Sequence, residues 1–167
     1  MNFTHSSLTA IFDNSVLSWG LFACGFAQFS KLFVELIFQR RWRPAVLLET
    51  GGMPSSHSAL VTGTAAGVGL EMGFGNAEFA LAATLAFVVM YDASGIRRSA
   101  GYIAKRVNDL NEKTCPGSPE VPLKVVLGHS RIEVLVGSIV GPAISLPGIV
   151  FVGSPLHLVQ IISSTLG

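Results

Sequence analysis

Four long apolar runs restrict the fold of this chain more than any other feature. They cover residues 16–38, 58–74, 77–91 and 125–152, and polar stretches separate them. A helix needs about 20 largely apolar residues to cross a bilayer, and the second and third runs lie near the lower limit of that length. Charged residues form only 13% of the chain, whereas soluble domains carry about 25%. We therefore predict an all-α fold, a polytopic helical bundle in a membrane with about four spans, formed by residues 1–167 as a single domain.

Turn residues and prolines refine this topology. A short turn at residues 73–76 joins the second and third runs, which predicts a helical hairpin. The fourth run is too long for one straight helix, and it contains Pro142 and Pro147, with Pro155 just after it. Proline lacks a backbone donor and kinks or breaks helices. We expect one span here, followed by a short re-entrant segment or a fifth C-terminal span.

Pairs of glycines four residues apart occur along the apolar runs, at Gly63 and Gly67, Gly69 and Gly73, and Gly137 and Gly141. This spacing lets two membrane helices approach closely. Small residues are also common in such helices without this role, but we favour close helix packing.

The basic residues predict an orientation. In a four-span topology, the segments after the first and third runs lie on the same side of the membrane. All eleven lysines and arginines fall in those segments or near the run ends that border them. Because cytoplasmic loops carry an excess of Lys and Arg, we expect this face to be cytoplasmic, or its equivalent in an organelle. Ionisable groups near it are candidates for function, since they are costly in a membrane unless they face a polar interior.

The first candidate stretch is GGMPSSHS, residues 51–58. Pro54 suits the first turn of a helix, and Ser55 or Ser56 can cap it. The free backbone N–H groups at a helix start can bind an anion, and His57 would stand beside them as a proton donor or acceptor near neutral pH. The alternative is a capped helix with a histidine at the membrane interface.

The second stretch is HSRIE, in which His129 and Glu133 are four residues apart and share one face of a helix. A carboxylate in this position accepts a proton from one ring nitrogen, so that the other nitrogen can act as nucleophile or base. A metal site would lack a third ligand of the usual kind. A structural ion pair is the remaining alternative.

The third stretch is YDASGIRRSAG, residues 91–101. Asp92 ends an apolar run, and Arg97 and Arg98 begin what we predict to be a polar loop. Arginine offers a planar fork to phosphate oxygens. The alternative is that these arginines are ordinary basic residues flanking a membrane span.

Together the three stretches resemble the superfamily of type 2 phosphatidic-acid phosphatases and vanadium-dependent haloperoxidases, and more closely its small divergent membrane branch. Residues 54–57 match the Pro-Ser-Gly-His motif, with Ser56 in place of glycine. His129 and Glu133 match the end of the third motif, with glutamate in place of aspartate. Lys31 corresponds to the lysine of the first motif, but the arginine that follows it is spaced differently.

The resemblance implies metal-independent phosphoester hydrolysis through a phosphohistidine. His129 would be the nucleophile, Glu133 would orient it, and His57 would protonate the leaving group and then activate water. Since the spacing of the first motif is irregular, the choice of the phosphate-binding arginine among Arg40, Arg41 and Arg43 stays open. The implied phosphate ligands come from Lys31, Arg40, Arg41, Arg43, Ser55, Ser56, Arg97 and Arg98, with Asp92 and Lys124 as accessory residues.

The implied substrate is a phosphomonoester or diphosphate of a lipid, because a site at the membrane surface suits a headgroup with its tail in the bilayer. We expect no metal or other cofactor and no nucleic-acid partner, and we leave a homo-oligomer open. The alternative to an enzyme is an inactive membrane protein that binds lipid phosphates or serves as a scaffold.

Overall fold

The computed structural model describes residues 10, 11, 13–40, 42–49, 51–116, 121–155, 157, 159, 163 and 164. Within them the main helices are α1 (Ser15–Gln39), α2 (Ser56–Met72), α3 (Ala77–Ser94), α4 (Ile96–Thr114) and α5 (Arg131–Phe151), and a 3₁₀ turn covers Pro44–Leu48. No β-strand occurs in these residues, so the predicted all-α fold is confirmed.

The apolar runs form a membrane bundle. Three segments are long and apolar enough to cross a bilayer: Ser15–Phe38, Ala77–Thr114, which contains α3 and continues into α4, and Arg131–Phe151. Helix α2 has 17 residues and packs against α1, α3 and α5. It also forms the predicted hairpin with α3, because Gly73 ends α2 with a positive φ of 97°.

Glycines bring α2 and α5 into backbone contact. A Cβ built on Gly141 would lie 2.3 Å from the Ala59 carbonyl oxygen, and one on Gly63 would lie 3.1 Å from the Gly141 carbonyl oxygen. Ser145 Oγ donates a hydrogen bond of 3.0 Å to the Gly63 carbonyl across the same contact. The predicted close packing is therefore confirmed here. It is wrong for Gly69, whose Cβ would meet Phe74 of its own hairpin.

Helix α5 differs from the sequence prediction at its start and at its internal prolines. It continues through Pro142 and Pro147 without a break, which is tolerated in membrane helices because neighbouring groups satisfy the freed backbone atoms. It begins at Arg131, and residues 121–127 before it are not helical. Most of the tail after Pro155, where we predicted a re-entrant or fifth segment, lies outside the described residues.

Helix α4 replaces the polar loop predicted after Arg97. Its exposed apolar residues Ile96, Ile103, Val107 and Leu110 follow a spacing of three, four or seven residues, with charged residues between them. This is the period of an amphipathic helix. The loop prediction was wrong because a polar stretch can still form a helix when its apolar residues recur at helical spacing.

Candidate active site

A short non-helical segment, residues 121–128, carries His129 to the start of α5. At its end, Gly128 has a φ of 78°, and a Cβ there would lie 2.5 Å from the Arg98 backbone nitrogen, so glycine is required. The next residue is fixed by a hydrogen bond of 2.9 Å from the His129 backbone N–H to the Ala93 carbonyl. The segment is thus held against the end of α3 and the start of α4, which places His129 within the bundle.

Helix α5 opens with a capping box that also holds the histidine. Ser130 Oγ accepts from the Glu133 N–H at 3.3 Å, and Glu133 Oε2 accepts from the Ser130 N–H at 3.2 Å. The same Oε2 lies 3.0 Å from His129 Nδ1. The predicted His129–Glu133 pair is therefore formed. The predicted geometry was wrong, because His129 precedes the helix and the pair is not on one helical face.

This arrangement assigns the proton of the imidazole. Because the Glu133 oxygen already accepts from a backbone N–H, it acts as an acceptor, and Nδ1 of His129 donates to it. The lone pair is then on Nε2. That atom is buried and has no hydrogen-bond partner among the described residues, a condition that costs about 1–3 kcal/mol in a folded protein and calls for an explanation.

The ring of His57 lies against the ring of His129, with 6.3 Å between their centroids. Ser55 caps α2 as predicted, accepting from the Ser58 N–H at 3.3 Å. Its own N–H donates to the Glu133 carbonyl at 3.0 Å. The first turns of α2 and α5 are thereby joined, which brings the two histidines together. We predicted this N–H as a phosphate donor, but it is already used; Ser56, the first residue of α2, is buried.

Burial lowers the pKa of His57 below its ordinary value, and the positive charges of Arg97 and Lys31 act in the same direction. The environment of His57 is therefore electropositive, which favours binding of an anion there.

Lys31 of α1 contacts the loop that precedes α2, at Gly51. Its side chain is only 2% exposed, and Nζ donates to the Gly51 carbonyl at 2.9 Å. An ammonium group has three donors, so two remain after this bond. Gly51 also lies against the segment before His129, since a Cβ on it would be 3.3 Å from the Gly128 carbonyl oxygen.

The predicted arginine ligands do not all converge. Arg43 is bound to Glu49 at 2.6 Å and lies 3.7 Å from Glu35. Arg40 is exposed at the end of α1 with a φ of 52°, and Arg41 lies outside the described residues. The structure therefore does not bring Arg40 or Arg43 to His129; Arg43 is neutralised by carboxylates.

Arg97 and Arg98 have different partners. Arg97 is bound to Asp92 at 2.6 Å, so this predicted accessory carboxylate serves an ion pair. Arg98 contacts Tyr102, with its Nε 3.2 Å from the phenol oxygen and its guanidinium 5.6 Å from the ring centroid. Lys124 is exposed and does not line the cleft described next.

A cleft of about 320 Å³ opens beside His129 and Glu133. Ser130 also lines it, and α4 contributes Arg98, Tyr102 and Lys105. We did not predict Tyr102 or Lys105, although a spacing of four and then three residues after Arg98 puts them on one helical face. A larger cavity of about 620 Å³ lies at the other end of α2, lined by Glu71 and Met72 among others, and contains no histidine.

Comparisons with known proteins agree with this architecture. The family model described as the Divergent PAP2 family matches residues 12–144, which include the two histidines and Glu133. A relative from Bacillus subtilis (strain 168), named uncharacterized membrane protein YuiD, is 38% identical over 149 residues, covering 81% of this chain and 94% of the relative. No solved structure matches the chain. The protein is therefore a membrane protein that belongs to the divergent PAP2 family.

Proposed function

We propose that the protein is a phosphatase that hydrolyses a phosphomonoester or diphosphate of a membrane lipid through a phosphohistidine. One observation carries this proposal: Nε2 of His129 is unpartnered among the described residues while Nδ1 is held by Glu133. A buried imidazole with its lone pair on the free nitrogen is an activated nucleophile.

In the first step, the Nε2 lone pair of His129 attacks the terminal phosphorus and the bond from phosphorus to the leaving oxygen breaks; this oxygen is the lipid alkoxide oxygen in a monoester and the bridging oxygen in a diphosphate. Glu133 stabilises the imidazolium that forms, through the bond from Nδ1. Protonated His57 gives its proton to the leaving oxygen. Help of this kind from a general acid contributes about 10²–10⁴-fold to a rate.

In the second step, His57 is neutral and takes a proton from water. The resulting hydroxide attacks the phosphorus, the P–N bond breaks, and His129 and inorganic phosphate are released. The proton from water remains on His57, so the acid is ready for the next turnover.

Positive charge near His57 supports binding of the reacting phosphate. Lys31 and Arg97 both act on His57 electrostatically, and fixed charges of this kind stabilise the charge on phosphate oxygens in phosphoryl transfer. The lipid tail would remain in the bilayer. We further infer that the site faces the cytoplasm or its organelle equivalent, since the basic residues lie on this side.

The test is phosphate release by the detergent-purified protein from a panel of lipid phosphates, with and without a chelator. His129→Gln removes the nucleophile and Glu133→Gln its orientation, so we expect no turnover in the first and a loss of about 10²-fold or more in the second. His157→Gln is the matched control, because His157 is exposed and bonded to the Val152 carbonyl. Turnover that survives His129→Gln, or that a chelator abolishes, contradicts the mechanism.

A second candidate is a protein that binds lipid phosphates without turnover. It is favoured by the burial of Nε2 itself, because the atoms that cover Nε2 have to move before phosphorus can reach it. Vanadate, a phosphate mimic, distinguishes the two candidates. Binding of vanadate together with inhibition of turnover supports the enzyme, and binding without any measurable turnover supports the second candidate.

A further inference from the structure

We propose that Arg98 and Lys105 form a second phosphate-binding subsite beside His129, so that the substrate carries a second phosphoryl group near the one that reacts. The identity of the reacting phosphate rests on the function proposed above. The second subsite rests on the cleft and on helix α4, and its existence can be measured without turnover.

The two basic residues share a wall of the cleft that contains His129. Arg98 and Lys105 are seven residues apart on α4, with Tyr102 between them, and all three line the cleft. Positions separated by seven residues are two turns apart on the same helical face, about 10 Å along the axis. An anion in this cleft would meet a row of donors on α4, beside the segment that carries His129.

Helix α4 is held firmly against the segment that carries His129. The Asn108 side chain donates to the Leu123 carbonyl and accepts from the Leu123 N–H, both at 2.9 Å. A Cβ on Gly101 would lie 2.7 Å from the Val125 carbonyl oxygen. The row of donors therefore has a set position relative to the reacting histidine.

Arg98 and Lys105 are the basic residues in the cleft wall. Arg43 and Arg97 are bound to carboxylates, Lys31 is buried and bound to the Gly51 carbonyl, and none of these three lines the cleft. By contrast, neither Arg98 nor Lys105 pairs with a carboxylate within the described parts of the chain. Glu133, the acidic residue in the cleft wall, is already occupied by His129 and Ser130.

The size of the cleft agrees with two phosphoryl groups. Its volume of about 320 Å³ corresponds to about ten water molecules at about 30 Å³ each, which is more than one phosphoryl group needs. The second group could belong to a diphosphate or to a phosphodiester elsewhere in the headgroup, and both present the same oxygens to Arg98 and Lys105.

The experiment measures binding to the full-length protein in detergent by calorimetry, with inorganic phosphate and methylenediphosphonate as probes. The carbon bridge of the second probe prevents hydrolysis, so binding is measured whether or not the protein is an enzyme. We expect methylenediphosphonate to bind at least about tenfold more tightly, and Arg98→Gln or Lys105→Gln to remove about tenfold of that affinity while lowering the affinity for inorganic phosphate by less. Arg106→Gln is the control, because Arg106 is exposed on the same helix and does not line the cleft.

Equal affinities for the two probes overturn the subsite, and so does an effect of Arg106→Gln as large as that of Lys105→Gln, which would indicate general charge. If the protein binds methylenediphosphonate more tightly than phosphate but turns over no lipid phosphate, the subsite is supported and the proposed phosphatase activity is contradicted. With turnover, kcat/KM for a lipid diphosphate and for a lipid with a terminal phosphate and a phosphodiester tells which source is used. Lys105→Gln should lower kcat/KM for the preferred substrate by a larger factor than for a simple lipid monophosphate.

Discussion

Replacing Gly137 by alanine tests whether contact between α2 and α5 positions the two histidines. A Cβ at this position would lie 2.4 Å from the Ser55 carbonyl oxygen and 3.0 Å from Ser58 Cβ. The nearest atom belongs to the backbone and cannot rotate away. Because a carbon–oxygen contact is normally about 3.4 Å, the helices have to separate by about 1 Å.

The expected stability change is the sum of three effects. Overpacking a tight contact costs about 1–3 kcal/mol. The separation also strains the hydrogen bond from the Ser55 N–H to the Glu133 carbonyl, whose loss leaves a buried group unpaired at about 1–3 kcal/mol. Alanine is a better helix former than glycine by about 1 kcal/mol, which offsets part of this. The net result is a destabilisation of about 1–5 kcal/mol, or a Tm lower by at least about 2 °C.

The assay is thermal unfolding in detergent, with Gly25→Ala as the matched control. Gly25 lies in α1 with nothing within 4 Å of its Cβ position, so this variant should be as stable as the parent or slightly more so. A displacement of about 1 Å between reacting groups can also reduce turnover by about 10²-fold, and Gly25→Ala should not show this loss. A Gly137→Ala protein that unfolds at the temperature of Gly25→Ala would refute the packing argument, whatever the activity.

Two further outcomes are expected. Because burial and nearby positive charge lower the pKa of His57, its protonated form is lost as pH rises through a value below the ordinary histidine pKa of about 6.5. We therefore expect kcat/KM to fall with rising pH, with a midpoint below that value, and we expect this fall to be absent in the His57→Gln variant. A midpoint above neutrality would contradict the role of His57 as the acid. In a Cys24→Ser protein, the exposed Cys115 after α4 should react with a membrane-impermeant maleimide in inside-out vesicles but not in right-side-out vesicles, and the reverse pattern would show that the site faces the other side.

Much of the fold could be predicted because apolar length, turn residues and helix caps act locally along the chain. The four runs became helices, the turn at residues 73–76 became a hairpin, and Ser55 became the cap of α2. The helical spacing of its apolar residues also indicates α4, but the polar composition of this stretch led to the prediction of a loop. The prolines did not predict the end of α5, because in a membrane helix neighbouring groups can satisfy the backbone carbonyls that proline leaves without a donor.

The chemistry of the sequence by itself determined the central candidates His57, His129 and Glu133, since only a few residue types can transfer protons or attack phosphorus. Only the tertiary structure decided which cations can serve them. An arginine side chain is long enough to reach several partners, so its role depends on where distant carboxylates lie: Arg43 meets Glu49 and Arg97 meets Asp92, whereas Arg98 is left to the cleft.

The same reason explains the free nitrogen of His129 and the occupied N–H of Ser55. Ser55 and Glu133 are far apart in the chain, and their hydrogen bond forms only because glycines let α2 and α5 approach. That contact removes a phosphate donor that the motif indicated and sets two histidine rings 6.3 Å apart. Residue chemistry is local, whereas pairing and burial depend on which helices pack together, and so they are decided by the fold.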